Sequence, residues 1–202
     1  MRLLQLNNTG EFSLTKDLGQ EVTFSDLIDG TGQDKTGYNK IRFCRQQAER
    51  DGLRYFWVDT CCIDKSNQVV LQDAINSMFR WYQNARECYV HLSDVSINTR
   101  RKSNKSAKWF TRGWTLQELL APRSVKFFSS EGKFLGTPPC EFSVEEQFSW
   151  IESRQTTRKE DKAYSLLGMF NICMPLLYGE GEEHAFGRLR KKITKLLNGV
   201  QQ

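Results

Sequence analysis

The sequence predicts an α/β fold in which helices wind a parallel sheet and then continue as a helical extension. Three observations predict it. Strand-like and helix-like segments alternate in steps of roughly thirty residues, the spacing of strand–helix–strand crossovers. Tyr55-Phe56-Trp57-Val58 is a continuous apolar run, as expected of a strand covered on both faces. From residue 143 onward the chain reads as helices and one loop.

The elements follow in order. Residues 2–6 form a short strand. Residues 36–50 form an amphipathic helix with Tyr38, Ile41, Cys44 and Ala48 on one face, ending near Asp51-Gly52. A strand over 54–58 precedes a helix over 69–85, whose Leu71, Ile75, Met78, Phe79 and Tyr82 recur at helical spacing. Cys88–Leu92 is the next strand, and a short helix over 114–121 stops at Pro122. Ser124–Phe128 is the third parallel neighbour, followed by a turn at Ser130-Glu131-Gly132-Lys133. Ser143–Glu146 and Thr157–Glu160 both fit the capping box, opening helices that run to about Ser153 and Phe170. Ile172–Gly181 is a loop, and the last helix covers Glu182–Leu197. The chain is thus read as one domain over 1–202, with an α/β core over 1–140 and a helical extension over 141–202 packed on it. Trp150, Tyr164, Leu167 and Phe170 are the expected buried stripe of that extension.

Thirteen Phe and five Trp supply bulky core material. The net charge of +5 is densest at Arg100–Lys108 and Arg188–Lys195. No nucleic-acid motif accompanies these residues, so a solvated face is expected rather than a nucleic-acid partner. The six Cys, the polar amino terminus and the lack of a long apolar run predict a cytoplasmic protein with reduced thiols and no membrane span. Adjacent Cys61 and Cys62, with only two His in the chain, do not give metal-ligand spacing, so no metal is expected.

Function in wound sheets collects at the carboxyl ends of strands, here Asp59–Asp64 and Ser93-Asp94. Asp59, Cys62 and Asp64 could contact a ligand; equally, they could close a strand-to-helix turn, with Cys61 and Cys62 as small hydrophobes. In Arg112-Gly113-Trp114-Thr115-Leu116-Gln117-Glu118, Trp114 and Glu118 stand four apart on one helix face. An aromatic plane beside a carboxylate suits a nucleotide or sugar. A packed Trp114 with Glu118 in a salt bridge to Arg112 suits the same residues.

These two segments resemble the central blocks of the heterokaryon-incompatibility (HET) domain. So do Gly37-Tyr38-Asn39-Lys40-Ile41, residues 74–82, residues 156–166 and Leu177-Tyr178-Gly179-Glu180-Gly181. The resemblance implies a fungal vegetative-incompatibility domain that triggers programmed cell death. The implied partners are further copies of the domain, or receptor proteins with nucleotide-binding and repeat domains. More distantly, Trp114-Thr115-Leu116-Gln117-Glu118-Leu119 is similar to the Trp-Cys-x-x-Glu-Leu helix of NAD-cleaving TIR domains. That similarity implies a TIR-like, flavodoxin-like sheet and NAD as substrate rather than bound cofactor. It makes Glu118 the catalytic carboxylate, with Trp114, Arg112, Asp59, Cys62 and Asp64 as ligand contacts.

The sequence departs from the family pattern where Gln20 runs directly into Glu21-Val22-Thr23-Phe24, without the usual strand-and-loop block. Val70 stands where a glutamate is usual and Gln147 where an arginine is usual. Three functions therefore stand side by side: an NAD-cleaving effector, a non-catalytic protein–protein signalling module, and an inactive remnant.

Overall fold

The computed structural model describes residues 4–5, 21–98, 107–138 and 154–199 of a mixed α/β chain. The predicted helix over 143–153, with Trp150, and most of the basic stretch before Ala107 lie outside them. The chain divides into two compact units, Met1–Ala74 and Ile75–Gln202.

In the first unit, β1 (Leu4–Gln5) pairs antiparallel with β2 (Tyr55–Phe56). Between them lie α1 (Phe24–Ile28) and α2 (Tyr38–Arg50), and α3 (Asp59–Cys62) follows directly. The helical spacing of α2 buries Tyr38, Ile41, Cys44 and Ala48, as its sequence requires. The first three join Val22, Val58, Cys61 and Cys62 in a core that Leu27, Phe43, Phe56 and Trp57 flank. The expectation of a 54–58 strand covered on both faces is corrected. Tyr55 is half exposed and Trp57 half-buried, because the strand is two residues long and has an antiparallel partner in its own small sheet.

A lock at the start of α1 ties the helix to the turn that follows it. Thr23 caps the helix, its amide and hydroxyl donating to Asp26 Oδ2 at 2.6 and 2.7 Å. Lys35, itself buried, donates to the same carboxylate at 2.9 Å. A Cβ at Gly32, where φ is +83°, would stand 3.0 Å from the Asp26 side chain, so only glycine suits the turn. Burial pushes the Asp26 carboxyl up, but Thr23 and Lys35 outweigh it and hold the group at about 2.

The second unit is built on a three-stranded mixed sheet in the order β3 (Cys88–His91), β4 (Val125–Phe128), β5 (Phe134–Gly136). The β3–β4 pair is parallel, with Cys88 opposite Val125 and His91 opposite Phe128. Parallel neighbours need a crossover connection, and here it carries a 3-10 turn (Lys108–Thr111) and α5 (Thr115–Leu120). The predicted turn after β4 forms at Ser129–Lys133, with Gly132 at φ 73°. It returns the chain as β5, an antiparallel strand that the sequence reading lacked. Two of the three predicted parallel neighbours therefore pair as expected. Helix α4 (Gln68–Asn84) runs from the first unit into the second. Tyr82 from its last turn, with Trp109 and Phe127, packs against Cys88, Val90, Leu92, Ala107 and Val125.

The capping box expected at Thr157–Glu160 does not form. Glu160 turns instead to the loop, accepting from the amides of Gly179 and Gly181 at 2.8 and 3.0 Å. Helix α6 is accordingly short (Asp161–Tyr164) and passes through turns to Asn171 at φ 52° rather than continuing to Phe170. Tyr164 and Leu167 are fully buried and Phe170 is half-buried. Helix α7 (Glu182–Gly199) packs on α6 and buries Ala185 and Leu189. Among the described residues no helix is long and apolar enough to cross a membrane.

Two predictions follow from this packing. A Cβ at Gly168 would meet Phe79 Cβ at 2.0 Å, whereas one at Gly187, inside α7, meets nothing within 4 Å. Gly168→Ala should therefore cost about 1–3 kcal/mol by overpacking, while Gly187→Ala gains about 0.5–1 kcal/mol from helix propensity; urea titration of the two variants checks the opposite signs. The second concerns acid. Because folding lowers the Asp26 pKa from 3.8 to about 2, its contribution to stability is complete above the ordinary carboxylate value and disappears as pH falls through about 2. Asp26→Asn should thus be less stable than the parent at pH 7 and lose less between pH 4 and 2 (about the ordinary and shifted values), as read by thermal unfolding across that window.

Candidate functional site

The site assembles on the segment from the end of β3 to α5. Asp94, just past β3, accepts from the Lys108 amide at 2.8 Å and so starts the 3-10 turn. That turn presents Trp109, whose indole packs edge-on against Phe110 and Phe127 at centroid distances of 5.0 and 5.5 Å. The indole Nε1 donates to Glu118 Oε2 at 3.1 Å. Below, the Cys88 thiol donates to the Glu118 carbonyl at 3.6 Å and ties α5 to the first strand of the sheet.

Arg154 completes the arrangement. Its guanidinium is almost wholly buried, and Nη1 donates to the Arg112 carbonyl at 2.7 Å and to Thr115 Oγ1. The Thr115 hydroxyl lies 2.7 Å from the carbonyls of Trp109 and Arg112 and shares its proton between them. Burial lowers the Arg154 pKa to about 10, and the Glu118 carboxylate opposes that fall. Arg154 therefore stays charged at neutral pH. The main chain is pinned beside it: Gly113 donates to the Gln155 carbonyl at 2.9 Å, and Gln155 donates to that of Thr111 at 2.6 Å. A Cβ at Gly113 would stand 2.4 Å from Thr156 Cγ2, so the close approach requires glycine.

Trp114 and Glu118 take different partners. The Trp114 side chain hydrogen-bonds Asp161, which also accepts from the Tyr178 hydroxyl at 3.0 Å. Arg158 lies 4.0 Å over the Tyr178 ring. Burial raises the Asp161 carboxyl above the usual range despite these donors. Buried Tyr164 donates to Glu180 and accepts from the Leu177 amide, and burial first, then that carboxylate, pushes its phenol to about 12. The contact between Glu118 and Trp109 was not read from the sequence, nor was the Asp161–Tyr178 cluster. Both clusters bring together residues too far apart in sequence for helical spacing to show.

Helix α5 has six residues, and the Leu116 and Gln117 amides donate to the carbonyls of Gly113 and Trp114. Gln117, fully buried, donates from Nε2 to the Ser165 carbonyl at 2.8 Å.

In the first unit, Asp59 opens α3 and the Val58 carbonyl takes the amides of Cys61 and Cys62. Both thiols are buried, and Cys62 Sγ accepts from the Val58 amide at 3.4 Å. The Cys61–Cys62 hydrogen bond, reinforced by burial, pushes Cys61 up; the same bond, with the Val58 amide, pulls Cys62 down. Asp64 accepts from the Ser66 amide and hydroxyl at 3.0 and 2.6 Å, closing the turn before α4. Of the two readings of this segment, the turn accounts for Asp64 and for the buried Cys61 and Cys62. Asp59, Cys62 and Asp64 lie together in this unit, while Arg112, Trp114 and Glu118 lie together in the second.

Residues 15–105 match the family model for the heterokaryon incompatibility protein (HET). Vegetative incompatibility protein HET-E-1 of Podospora anserina is 47% identical across 96% of this chain. The chain belongs to the HET family. It spans 18% of the length of that relative. The alignment runs over 243 positions against a 202-residue chain, so the relative carries segments with no counterpart in this HET domain. The family model ends before Trp109, but the relative extends the likeness over nearly the whole chain. No solved structure is significantly similar.

One prediction tests the anchoring of Arg154 in this HET domain. Thr115→Val preserves shape but removes one acceptor from a buried guanidinium, which should cost about 1–3 kcal/mol. Thr115→Ser should restore most of the loss; equal unfolding midpoints for the valine variant and the parent would show that Arg154 needs no such acceptor.

Proposed function

We propose that this HET domain acts in fungal vegetative incompatibility as a cell-death effector in the cytoplasm, and that it does so by cleaving the nicotinamide–ribose bond of NAD. Glu118 is the catalytic carboxylate of this reading. One observation carries it: Glu118 sits on the crossover between parallel β3 and β4, with Oε2 held by Trp109 and its charge beside buried Arg154. A fixed carboxylate facing the ribose stabilises the oxocarbenium-like centre that forms as nicotinamide leaves with the bonding pair; water then adds at that carbon, giving ADP-ribose and a proton. The β3–α5–β4 crossover supports a TIR-like arrangement of the sheet, with the carboxyl-terminal helices as its extension. Arg112 and Trp114, on the same segment as Glu118, are the proposed substrate contacts.

Signalling by contact with further copies or with receptor proteins is the second reading. It is favoured by a groove on α7 lined by Arg190, Lys191, Thr194, Lys195 and Asn198, a cationic surface remote in sequence from Glu118.

The two readings part on a single substitution. Glu118→Gln keeps an acceptor for Trp109 while removing the charge. Nicotinamide release by the purified protein should fall by about two to three powers of ten in protein that still unfolds cooperatively, at a midpoint lowered by loss of the charge beside Arg154. An incompatibility response in cells that survives Glu118→Gln undiminished would transfer the function to the α7 surface.

A further inference from the structure

We propose that Trp109 is a positioning residue for Glu118, holding the carboxylate through its indole N–H so that one orientation is presented to the substrate. This rests on the catalytic reading of Glu118. Four observations carry it. The Trp109 Nε1–Glu118 Oε2 contact is 3.1 Å and joins residues nine apart that share no helix. The indole is fixed on its other side by edge contacts with Phe110 and Phe127, so the N–H direction is set by packing. The 3-10 turn that carries it is fixed at its start by Asp94. The Thr115 hydroxyl, bonded to the Trp109 carbonyl, fixes it from α5.

A side chain held at both ends has little freedom to rotate, and a carboxylate held by it inherits that restriction. Glu118 reaches its position from a short helix through two rotatable bonds beyond Cβ, and the indole N–H favours the one orientation in which Oε2 meets it. A donor to a charged acceptor is also stronger than one between neutral groups. The arrangement thus acts on turnover rather than on substrate affinity: Trp109 touches the carboxylate and leaves the chemistry to it.

The test removes the N–H and nothing else. β-(3-Benzothienyl)alanine at position 109 keeps the shape of the indole and puts sulfur where the N–H was; Trp109→Phe is the ordinary counterpart. With NAD as substrate, kcat should fall roughly ten- to a hundredfold in both, the range of a hydrogen bond to a charged group, with KM within about twofold of the parent. Unchanged kcat in the benzothienyl protein, under conditions where Glu118→Gln is inactive, would overturn the proposal and leave Trp109 as packing alone. A readout without turnover separates this from failure of the catalytic reading. In proton–nitrogen spectra of the full chain, the Trp109 indole N–H resonance should shift on Glu118→Ala and shift less in Glu118→Gln, which keeps a neutral acceptor. If the parent releases no nicotinamide, the catalytic reading fails and the proposed role in turnover fails with it, while a shifting resonance still establishes the contact. A resonance indifferent to Glu118→Ala overturns the proposal whatever the activity.

Discussion

A guanidinium buried away from water stays charged only where the fold brings acceptors or negative charge to it. Arg154 imposes that demand on the second unit. The Arg112 carbonyl and the Thr115 hydroxyl answer it directly, and Glu118 answers with charge. Each answer places something else. The Arg112 carbonyl can face Arg154 because Thr111 and Gly113 are bonded to Gln155, next along the chain from the cation. The Thr115 hydroxyl reaches back to the Trp109 carbonyl and so sets the 3-10 turn against α5. Removing one partner of such a charge costs far more than an exposed ion pair contributes. The segment from Trp109 to Glu118 is therefore one construction rather than a loop followed by a helix.

The sequence showed some of this clearly and some of it not at all. The buried face of α2 was legible because Tyr38, Ile41, Cys44 and Ala48 repeat at the period of a helix, a local property. The β3–β4 pair was legible because strand-like and helix-like segments alternate along the chain at crossover spacing. The partner of β2 was not, because strand pairing is chosen by residues far away, and a run of four apolar residues does not say on which side it is covered. Thr157–Glu160 had the right spacing for a cap, yet the Gly179 and Gly181 amides competed for the Glu160 carboxylate and won. Spacing states what a side chain can reach; the tertiary structure decides what it does reach.

The candidate site divides along the same line. That Trp114 and Glu118 belong to one segment was visible in their spacing. That they serve different partners was not, because Asp161 lies forty-odd residues downstream of Trp114 while Trp109 precedes the helix. The identity with HET-E-1 explains why the motif blocks were recognisable in order along the chain. It leaves the chemistry to be argued from the geometry of Glu118 and its neighbours.

The hairpin that closes the second sheet has a consequence for handling the protein. Strand β5 is the last strand of its sheet among the described residues, and Phe134 and Leu135 on it are 58% and 41% exposed. An apolar edge of this kind is a template for pairing with another chain. Two features limit the hazard. The strand is only three residues long, and Lys133 stands immediately before it as a charged gatekeeper. Preparations kept at high ionic strength weaken that guard by screening the charge. A second lysine in place of Leu135 would strengthen that guard without entering the site.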